Sequence, residues 1–485
     1  MTETMTVTLV SDRQTLQVSV SEVSTVLELL REYGYEISAP CGGQGKCGKC
    51  LVGVMENGGE KQLLPACKTL VRDGMTVEIP TVFGTGLTTD SAHLEQTDGE
   101  TGCGLAVDIG TTTVALYFAD LQTGKTLKTA SFLNPQRSFG ADVISRVEYA
   151  TAHGIDAMFD CLRAKINEQI DLFRQSHGLE IAKMMVTGNT VMLHIFAGEE
   201  ISTFGYFPFT PAFLEDRAWD GSELGYHASR VVCLPSFSSF VGADIVCGGI
   251  AVDITDGNNL LIDLGTNGEM LLCYNGKLYS TSVAAGPAFE GADIACGMGG
   301  VNGAVCRVWS EDGRLMLETV GGCSPIGICG SGLVDAVAYL LSVGVIDETG
   351  AFADGADRFD LTDGVYVSAD DVRKFQLAKS AVRAGIEVLL RTAGCLPEEI
   401  SHLYVCGGMG YYMDRDNAIR VGLIPAALHD RVCIAGNTAG LGAKMCLLRQ
   451  ECFLRARTLA RSAEQVDLSS NPTFSELFME HMFFE

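Results

Sequence analysis

Residues 5–20 alternate apolar and polar side chains in two runs about a polar turn, the period of a β-hairpin with one buried face. Ser24 then precedes Val26-Leu27-Glu28-Leu29-Leu30, which reads as a short helix capped by that serine. Val77-Glu-Ile-Pro80 adds a closing strand. Residues 81–103 lose all periodicity and are rich in Thr, Gly, Ser and Asp, the composition of a flexible linker. Beyond it the pattern repeats. Gly104-Leu-Ala-Val-Asp108, a turn through Gly110-Thr111-Thr112-Thr113, an apolar run over 114–118 and a turn at Gly124-Lys125 form one copy. Leu260-Leu-Ile-Asp263, a turn through Gly265-Thr266-Asn267-Gly268-Glu269, an apolar run over 270–274 and a turn at Gly276-Lys277 form the second. His402-Leu-Tyr-Val-Cys406 is a further strand ending in Gly407-Gly408-Met409-Gly410. The helical period around Leu377, Ala381 and Leu389 predicts a helix that buries those positions. Lys379 and Arg383, four apart on it, are either a solvated cationic face or nucleotide contacts. Residues 473–483 read as a last short helix.

The chain has 485 residues, enough for two or more folded units. A hydrophobic content of 47% against 19% charged residues supplies a large core and excludes a mostly disordered chain. Asp and Glu outnumber Lys and Arg by 60 to 34, a net charge of −26 that repels phosphate backbones and argues against a nucleic-acid partner. No run of 18 apolar residues occurs, so no spanning helix and no membrane partner are expected. Met1-Thr2-Glu3-Thr4 lacks the basic segment of a signal peptide, and a cytoplasmic protein is expected.

Of the 18 cysteines, four fall in the first 70 residues. Others, such as Cys273, Cys296 and Cys446, lie in apolar stretches and read as small, reduced core residues. Cys41, Cys47 and Cys50 lie within ten residues and are separated by Gly42, Gly43, Gly45 and Gly48; Cys67 follows. Those glycines let the backbone approach a bound centre and aim N–H groups at its sulfurs. Structural zinc sites usually pair two C-x2-4-C units. The C-x5-C-x2-C…C arrangement here is instead close to ferredoxin spacing, which favours a 2Fe–2S cluster over zinc. The module resembles the 2Fe–2S ferredoxin domain with the vertebrate-type first spacing, although its gap before Cys67 is short for that family. Cys103 is the next candidate for a fourth ligand and lies beyond the linker.

The duplicated turns suit a phosphate clamp. Glycine turns present N–H groups, Thr111, Thr112, Thr113, Thr266 and Asn267 add donors, and an Asp holds Mg2+ directly or through water. Gly407, Gly408 and Gly410 would let an adenosine pack closely. No Walker G-x-x-x-x-G-K-[ST] and no G-x-G-x-x-G after a strand are present, so neither a P-loop nor a Rossmann site is supported.

These elements resemble the acetate kinase, sugar kinase, heat-shock chaperone and actin superfamily of ATPases. Residues 108–113 match its first phosphate motif, 263–269 its second and 405–410 its adenosine motif. Asn134-Pro-Gln136, Gly140…Arg146, Thr187-Gly-Asn-Thr190, Val241-Gly-Ala-Asp244, residues 284–292, Pro325…Gly332, Gln376…Gly385, residues 418–423 and Gly436-Asn437 narrow this further. With them, the chain resembles the reductive activators of corrinoid enzymes over nearly its whole length. The resemblance implies an α/β protein with an α+β N-terminal module: a β-grasp ferredoxin domain (1–80), a linker (81–103) and an actin-like ATPase domain (104–485). The ATPase would consist of two ribonuclease-H-like halves, about 104–255 and 256–485, closing on ATP. The extra middle domain of larger members is expected to be missing or much reduced.

Asp108, Asp263 and Glu269 are the implied catalytic carboxylates; Asp263 or Glu269 would orient the attacking water. Gly110, Gly265, Gly330 and Gly332 would join the loop hydroxyls and the adenosine glycines around ATP, although Gly330 and Gly332 could instead let a helix start close to the sheet. Asp244 either orders the water or caps its own helix, and His194 reads as a satisfied core histidine. The implied activity is an ATP-dependent electron transfer from 2Fe–2S to cobalt(II), regenerating cobalt(I) in a corrinoid protein of a methyltransferase system. An external low-potential donor would supply the electron. The rival readings are a donor to another low-potential enzyme and a redox-gated nucleotide-binding module.

Overall fold

The computed structural model describes residues 5–11, 15–20, 24–33, 35, 50–56, 59, 61–79, 96–407 and 412–484. In the N-terminal module, β1 (Met5–Val10) and β2 (Thr15–Val20) form the expected antiparallel hairpin, with Val7 opposite Val18. With β3 (Leu51–Glu56), β4 (Gln62–Pro65) and β5 (Met75–Glu78) they make a five-stranded sheet of order β2-β1-β5-β3-β4. Helix α1 (Val26–Glu32) buries Val26, Leu27, Leu29 and Leu30 against Val7, Leu9, Val52 and Val77. Its N-cap is Thr25 rather than Ser24: Glu28 N donates to Thr25 Oγ1 at 3.2 Å and Thr25 N donates to Glu28 Oε2 at 2.7 Å. This reciprocal pair satisfies two orphan donors at once, which a lone Ser24 cap would not.

Two six-stranded sheets follow, with orders β10-β11-β9-β6-β7-β8 and β21-β20-β12-β13-β14-β22. The first comprises β6 (Cys103–Ile109), β7 (Thr113–Asp120), β8 (Thr126–Leu133), β9 (Ile181–Gly188), β10 (Arg217–Asp220) and β11 (Ala228–Cys233). In the second half are β12 (Asn259–Leu264), β13 (Gly268–Tyr274) and β14 (Lys277–Val283), an accessory sheet of β15 (Ala304–Glu311), β16 (Arg314–Thr319) and β17 (Gly327–Ile328), and a hairpin of β18 (Arg358–Thr362) and β19 (Val365–Ser368). Strands β20 (His402–Cys406), β21 (Val432–Gly436) and β22 (Ala463–Gln465) complete the second sheet. The sequence echo is thus a structural duplication. In each sheet the central strand pairs antiparallel with the next strand along the chain and parallel with a later one (β6 with β7 and β9, β12 with β13 and β20). Asp108 and Asp263 are each the penultimate residue of their central strand.

Helices α2 (Val143–His153), α3 (Asp156–His177), α4 (Thr190–Ala197), α5 (Gly221–Leu224) and α6 (Ala243–Ala251) belong to the first half of the chain. The second holds α7 (Gly330–Ser342), α8 (Ala369–Ala393), α9 (Arg415–Arg420), α10 (Thr438–Leu448), α11 (Gln450–Ser462) and α12 (Pro472–Glu480). The end of the chain crosses back. Ala443, Cys446 and Leu447 of α10 and Ala456 and Leu459 of α11 pack into the core built on Leu105, Val107, Leu116 and Phe118. A second core gathers Leu260, Ile262, Met270, Val334, Ala378 and Val382.

Four expectations need amendment. Ala381 and Leu389 are buried as expected, but Leu377 is 42% exposed and Lys379 and Arg383 are buried too, so α8 buries a wider face than the predicted stripe. The cause is the C-terminal segment: Lys379 Nζ donates to Phe483 O at 2.5 Å, Gln376 Nε2 to Met482 O at 2.9 Å, and Ser380 Oγ to Phe478 O. The last helix spans Pro472–Glu480. Cys273 and Cys446 are buried, but Cys296 is only half-buried. Linker residues 81–95 lie outside the described residues, while its last part is fixed by Asp98 N donating to Leu448 O at 3.0 Å. His194 is a satisfied core residue, bonded to Thr190 O at 2.7 Å and accepting from Ala212 N at 3.0 Å.

Helices α6 and α10 touch backbone to backbone: a Cβ at Gly442 would lie 1.9 Å from Cys247 O. Gly442→Ala is expected to force them apart and destabilise the fold by about 1–3 kcal/mol, read as a lower Tm in thermal unfolding. An unchanged Tm would show that the helix pair tolerates separation.

Candidate functional site

The two duplicated turns face each other across an open cleft. Asp108, Gly110, Thr111, Thr112 and Thr113 line one side, and Asp263, Gly265, Thr266, Asn267 and Glu269 the other. Gly330 and Gly407 line it as well. Gly332 is not among the lining residues; a Cβ there would sit 2.1 Å from Val305 O, so it lets α7 start against β15. The glycine segment before α7 thus divides its work between cleft and packing. Gly407 has φ +92°, and a Cβ on it would collide with Asp263 Oδ1. Gly408 and Gly410 lie outside the described residues, and Tyr412 lines the cleft just after them. Lys379 and Arg383 do not line it.

Backbone geometry shapes the first loop. Gly110 N donates to Thr113 O at 3.0 Å, closing the turn. Asn134 N donates to Thr112 O at 2.9 Å, Asn134 Nδ2 to Gly110 O at 2.8 Å, and Arg146 Nη2 to Thr111 O. The second turn closes through Gly265 N donating to Asn267 O at 3.0 Å. Glu290 joins the two loops, accepting from Thr112 Oγ1, from Thr266 N at 2.7 Å and from Thr266 Oγ1 at 2.9 Å.

The electrostatics are one-sided. Burial is the main cause that pushes the Asp108 carboxyl up to about 7 and Asp244 up to about 6. Asp263 rises to about 8, from burial first and then repulsion by Asp244, Asp108 and Glu290. Glu269 rises well above the usual carboxylate range through burial and the charges of Asp244 and Asp263. No Lys, Arg or His is among the described residues lining the cleft. Positive potential comes instead from helix N-termini: Asp244, Gly330 and Asn437 open or precede α6, α7 and α10, and all three line the cleft.

Hydrogen bonds hold three of the acids. Asn437 Nδ2 donates to Asp108 Oδ2 at 2.8 Å, and Asn267 Nδ2 and Asn189 Nδ2 reach Glu269 Oε1 at 3.3 and 3.5 Å. Asp244 both lines the cleft and accepts from Ile245 N at 2.9 Å, while the N-cap of α6 is Gly242. Among the described residues no three His, Cys, Asp or Glu side chains converge as a metal cage. A cleft acid set without such a cage fits Mg2+, which keeps much of its water and leans on phosphate oxygens.

Glu290 and Asn189 were not singled out by the sequence reading as site residues. Glu290 lies in block 284–292 and Asn189 in Thr187–Thr190, but each has a decisive partner in the other half of the chain, Thr112 and Glu269 respectively.

In the N-terminal module, Cys50 Sγ and Cys67 Sγ lie 3.3 Å apart, with both cysteines free. Two thiols converging at this distance suit two ligands of one 2Fe–2S centre. Cys41 and Cys47 lie outside the described residues.

Comparison with known families matches three consecutive stretches: a 2Fe-2S iron-sulfur cluster binding domain over residues 9–72, the RACo middle region over 103–257, and the C-terminal ASKHA domain of RACo over 257–485. The chain belongs to the RACo family. Corrinoid activation enzyme RamQ of Eubacterium limosum is 28% identical over 579 aligned positions, covering 96% of this chain and 97% of RamQ. The [Co(II) methylated amine-specific corrinoid protein] reductase of Methanosarcina barkeri is 26% identical over 419 positions, covering 78% and 76%. A solved reductive activator for corrinoid, iron-sulfur protein superposes with a TM-score of 0.74 at 28% identity, covering 98% of each chain. The middle-region match falls on residues 103–257, the stretch of the first sheet. The RamQ alignment exceeds this chain's length, so RamQ carries segments without a counterpart here.

Raised carboxyl pKa values give a signed pH dependence. The folded cleft favours protonated acids, so its contribution to stability is full below about pH 4 and is lost as pH rises through about 8. Asp263→Asn should raise the Tm of nucleotide-free protein at pH 8 by about 2 °C or more and change it little near about pH 5. In calorimetry, Mg-ADP binding to the native protein should expel protons and tighten from pH 6 to 8. Flat affinity across that range would show that these acids do not meet the metal–nucleotide complex.

Proposed function

We propose that this protein is an ATP-dependent reductive activator of a corrinoid protein, returning cobalt(II) to cobalt(I). The observation that carries the reading is the joining, in one chain, of a converging thiol pair in a ferredoxin-type module to a two-loop acidic cleft. The whole-length likeness to corrinoid activators supports it. Corrinoid proteins of methyltransferase systems are the partners we infer, with an external low-potential donor resupplying the electron. The 16 described cysteines form no disulfide, which suits a reducing cytoplasm.

Cys41, Cys47, Cys50 and Cys67 would hold the cluster, which when bound supplies one electron at low potential. The chain's other residues act on ATP. Thr111, Thr112, Thr113 and Thr266 donate to phosphate oxygens, and the N-termini of α6, α7 and α10 offset phosphate charge. Asp108 and Asp263, near the ends of the two central strands, would hold Mg2+. Glu269, fixed by the amides of Asn189 and Asn267, orients the attacking water, with Asp244 beside it. Closing the cleft then shifts the outer surfaces of the two lobes, and ATP favours whichever corrinoid-bound state those surfaces grip more tightly.

Anaerobic visible spectroscopy tests this. Reduced protein mixed with a cobalt(II) corrinoid protein should give the cobalt(I) spectrum only with Mg-ATP. Glu269→Gln should lower ATP turnover by about a hundredfold or more while Mg-nucleotide still binds. Cys67→Ser should retain nucleotide binding and abolish cobalt(I) formation. Persistent cobalt(II) in the native mixture, across a panel of corrinoid partners and with a reducible cluster, would refute the activator reading.

A further inference from the structure

A side chain of helix α1 in the cluster module reaches the ATPase. Arg31, in its last turn, donates through Nη2 to Ser138 O and lies 4.9 Å from the Phe139 ring centroid and 5.5 Å from that of Tyr149 on α2. Burial lowers its pKa, and the negative charge of the nearby Cys50 and Cys67 acts in the opposite sense. One guanidinium therefore sits on the ATPase surface within electrostatic reach of Cys50 and Cys67.

Ser138 closes the short turn Pro135–Ser138, capped by Asn134, whose Oδ1 accepts from Gln136 N at 3.0 Å. The same Asn134 braces Gly110 and Thr112 of the first phosphate loop. Arg146, fully buried, ties Thr111 O to Gln136 Oε1 at 3.2 Å and to Gly140 O at 3.0 Å. Carbonyls of three consecutive loop residues are thus fastened to the segment that receives Arg31. The loop geometry seen here is the one in which the Glu290 carboxylate takes the Thr112 and Thr266 hydroxyls. A triphosphate using those donors competes with Glu290 and must shift the loop.

We infer that Arg31 is a positioning residue that couples docking of the cluster module to nucleotide binding at the first phosphate loop, through Asn134–Phe139 and Arg146. The docked arrangement belongs to the Glu290-bridged loop, so Mg-ATP weakens docking and releases the cluster module for delivery of its electron. By linkage, docking weakens nucleotide binding by the same factor. The inference rests on the cleft being the ATP site and is independent of which acceptor takes the electron.

The test uses the full-length, cluster-loaded protein and the Mg2+ complex of a non-hydrolysable ATP analogue, with no corrinoid protein present. Arg31→Ala should bind the analogue about fivefold more tightly, Arg31→Lys should fall between, and Tyr149→Ala should act in the same direction as Arg31→Ala. Simple electrostatics gives the opposite sign, because removing a cation weakens attraction for an anionic nucleotide. In the native protein the analogue should shift the cluster midpoint potential downwards, as the Arg31 cation withdraws from the thiolates; in Arg31→Ala this shift should vanish. Unchanged or weaker analogue binding in both alanine variants, or a potential shift that survives in Arg31→Ala, overturns the inference. If Arg31→Ala fails to load its cluster, Tyr149→Ala alone decides. An absence of cobalt(I) formation in the earlier experiment would leave these readouts intact, so the two ideas fail separately.

Discussion

Four carboxylates that line the cleft between the duplicated turns, with no cationic side chain among the described lining residues, are the constraint around which the ATPase is arranged. Each acid costs free energy that hydrophobic packing elsewhere offsets. Strand ends carry Asp108 and Asp263 because a strand's terminus can present a side chain into a cleft while its body stays in the core. Amides then fix two of the acids: Asn437, far along the chain, holds Asp108, and Glu269 is held by the distant Asn189 and by Asn267 of its own turn. A bare triphosphate entering here would meet like charge. Its magnesium complex brings the missing cation, which is why metal and nucleotide are expected to bind as one.

The duplicated strand and turn pattern was readable because it is local: alternation, an acid, a glycine turn and hydroxyls occur within ten residues of one another. The cysteine spacing was equally local. What escaped the sequence reading depends on partners far away in the chain. Leu377 was assigned to the buried stripe of α8, yet Lys379 and Arg383 are buried instead because residues 478–483 cover that face. No periodicity within α8 could reveal a tail about a hundred residues downstream. The role of Glu290 is hidden for the same reason: it exists only once Thr112 and the second loop's Thr266, far apart along the chain, are brought together. The cap of α1 moved by one residue because Glu28 rewards Thr25 twice, a pair effect that single-residue preference misses.

Electron transfer and ATP hydrolysis share no atoms in this molecule, so their connection must be mechanical. An uphill one-electron step costs about 1.4 kcal/mol for every 59 mV, and ATP can meet that cost only by binding two states with different affinity. The states must therefore differ at the cleft. Helices α6 and α10 begin there, with Asp244 and Asn437 lining the cleft, and then pack against each other at Gly442 and Cys247. Side chains would interlock such a pair; a backbone contact leaves a smoother surface along which small sliding is possible. Because α10 also belongs to the core of the first sheet, a shift of its N-terminus is passed to that whole lobe rather than absorbed locally. The same lobe carries Ser138 and Tyr149, against which the cluster module rests. Nucleotide chemistry and cluster position are thus linked by one rigid body, and a corrinoid partner needs only to touch that body to sense both.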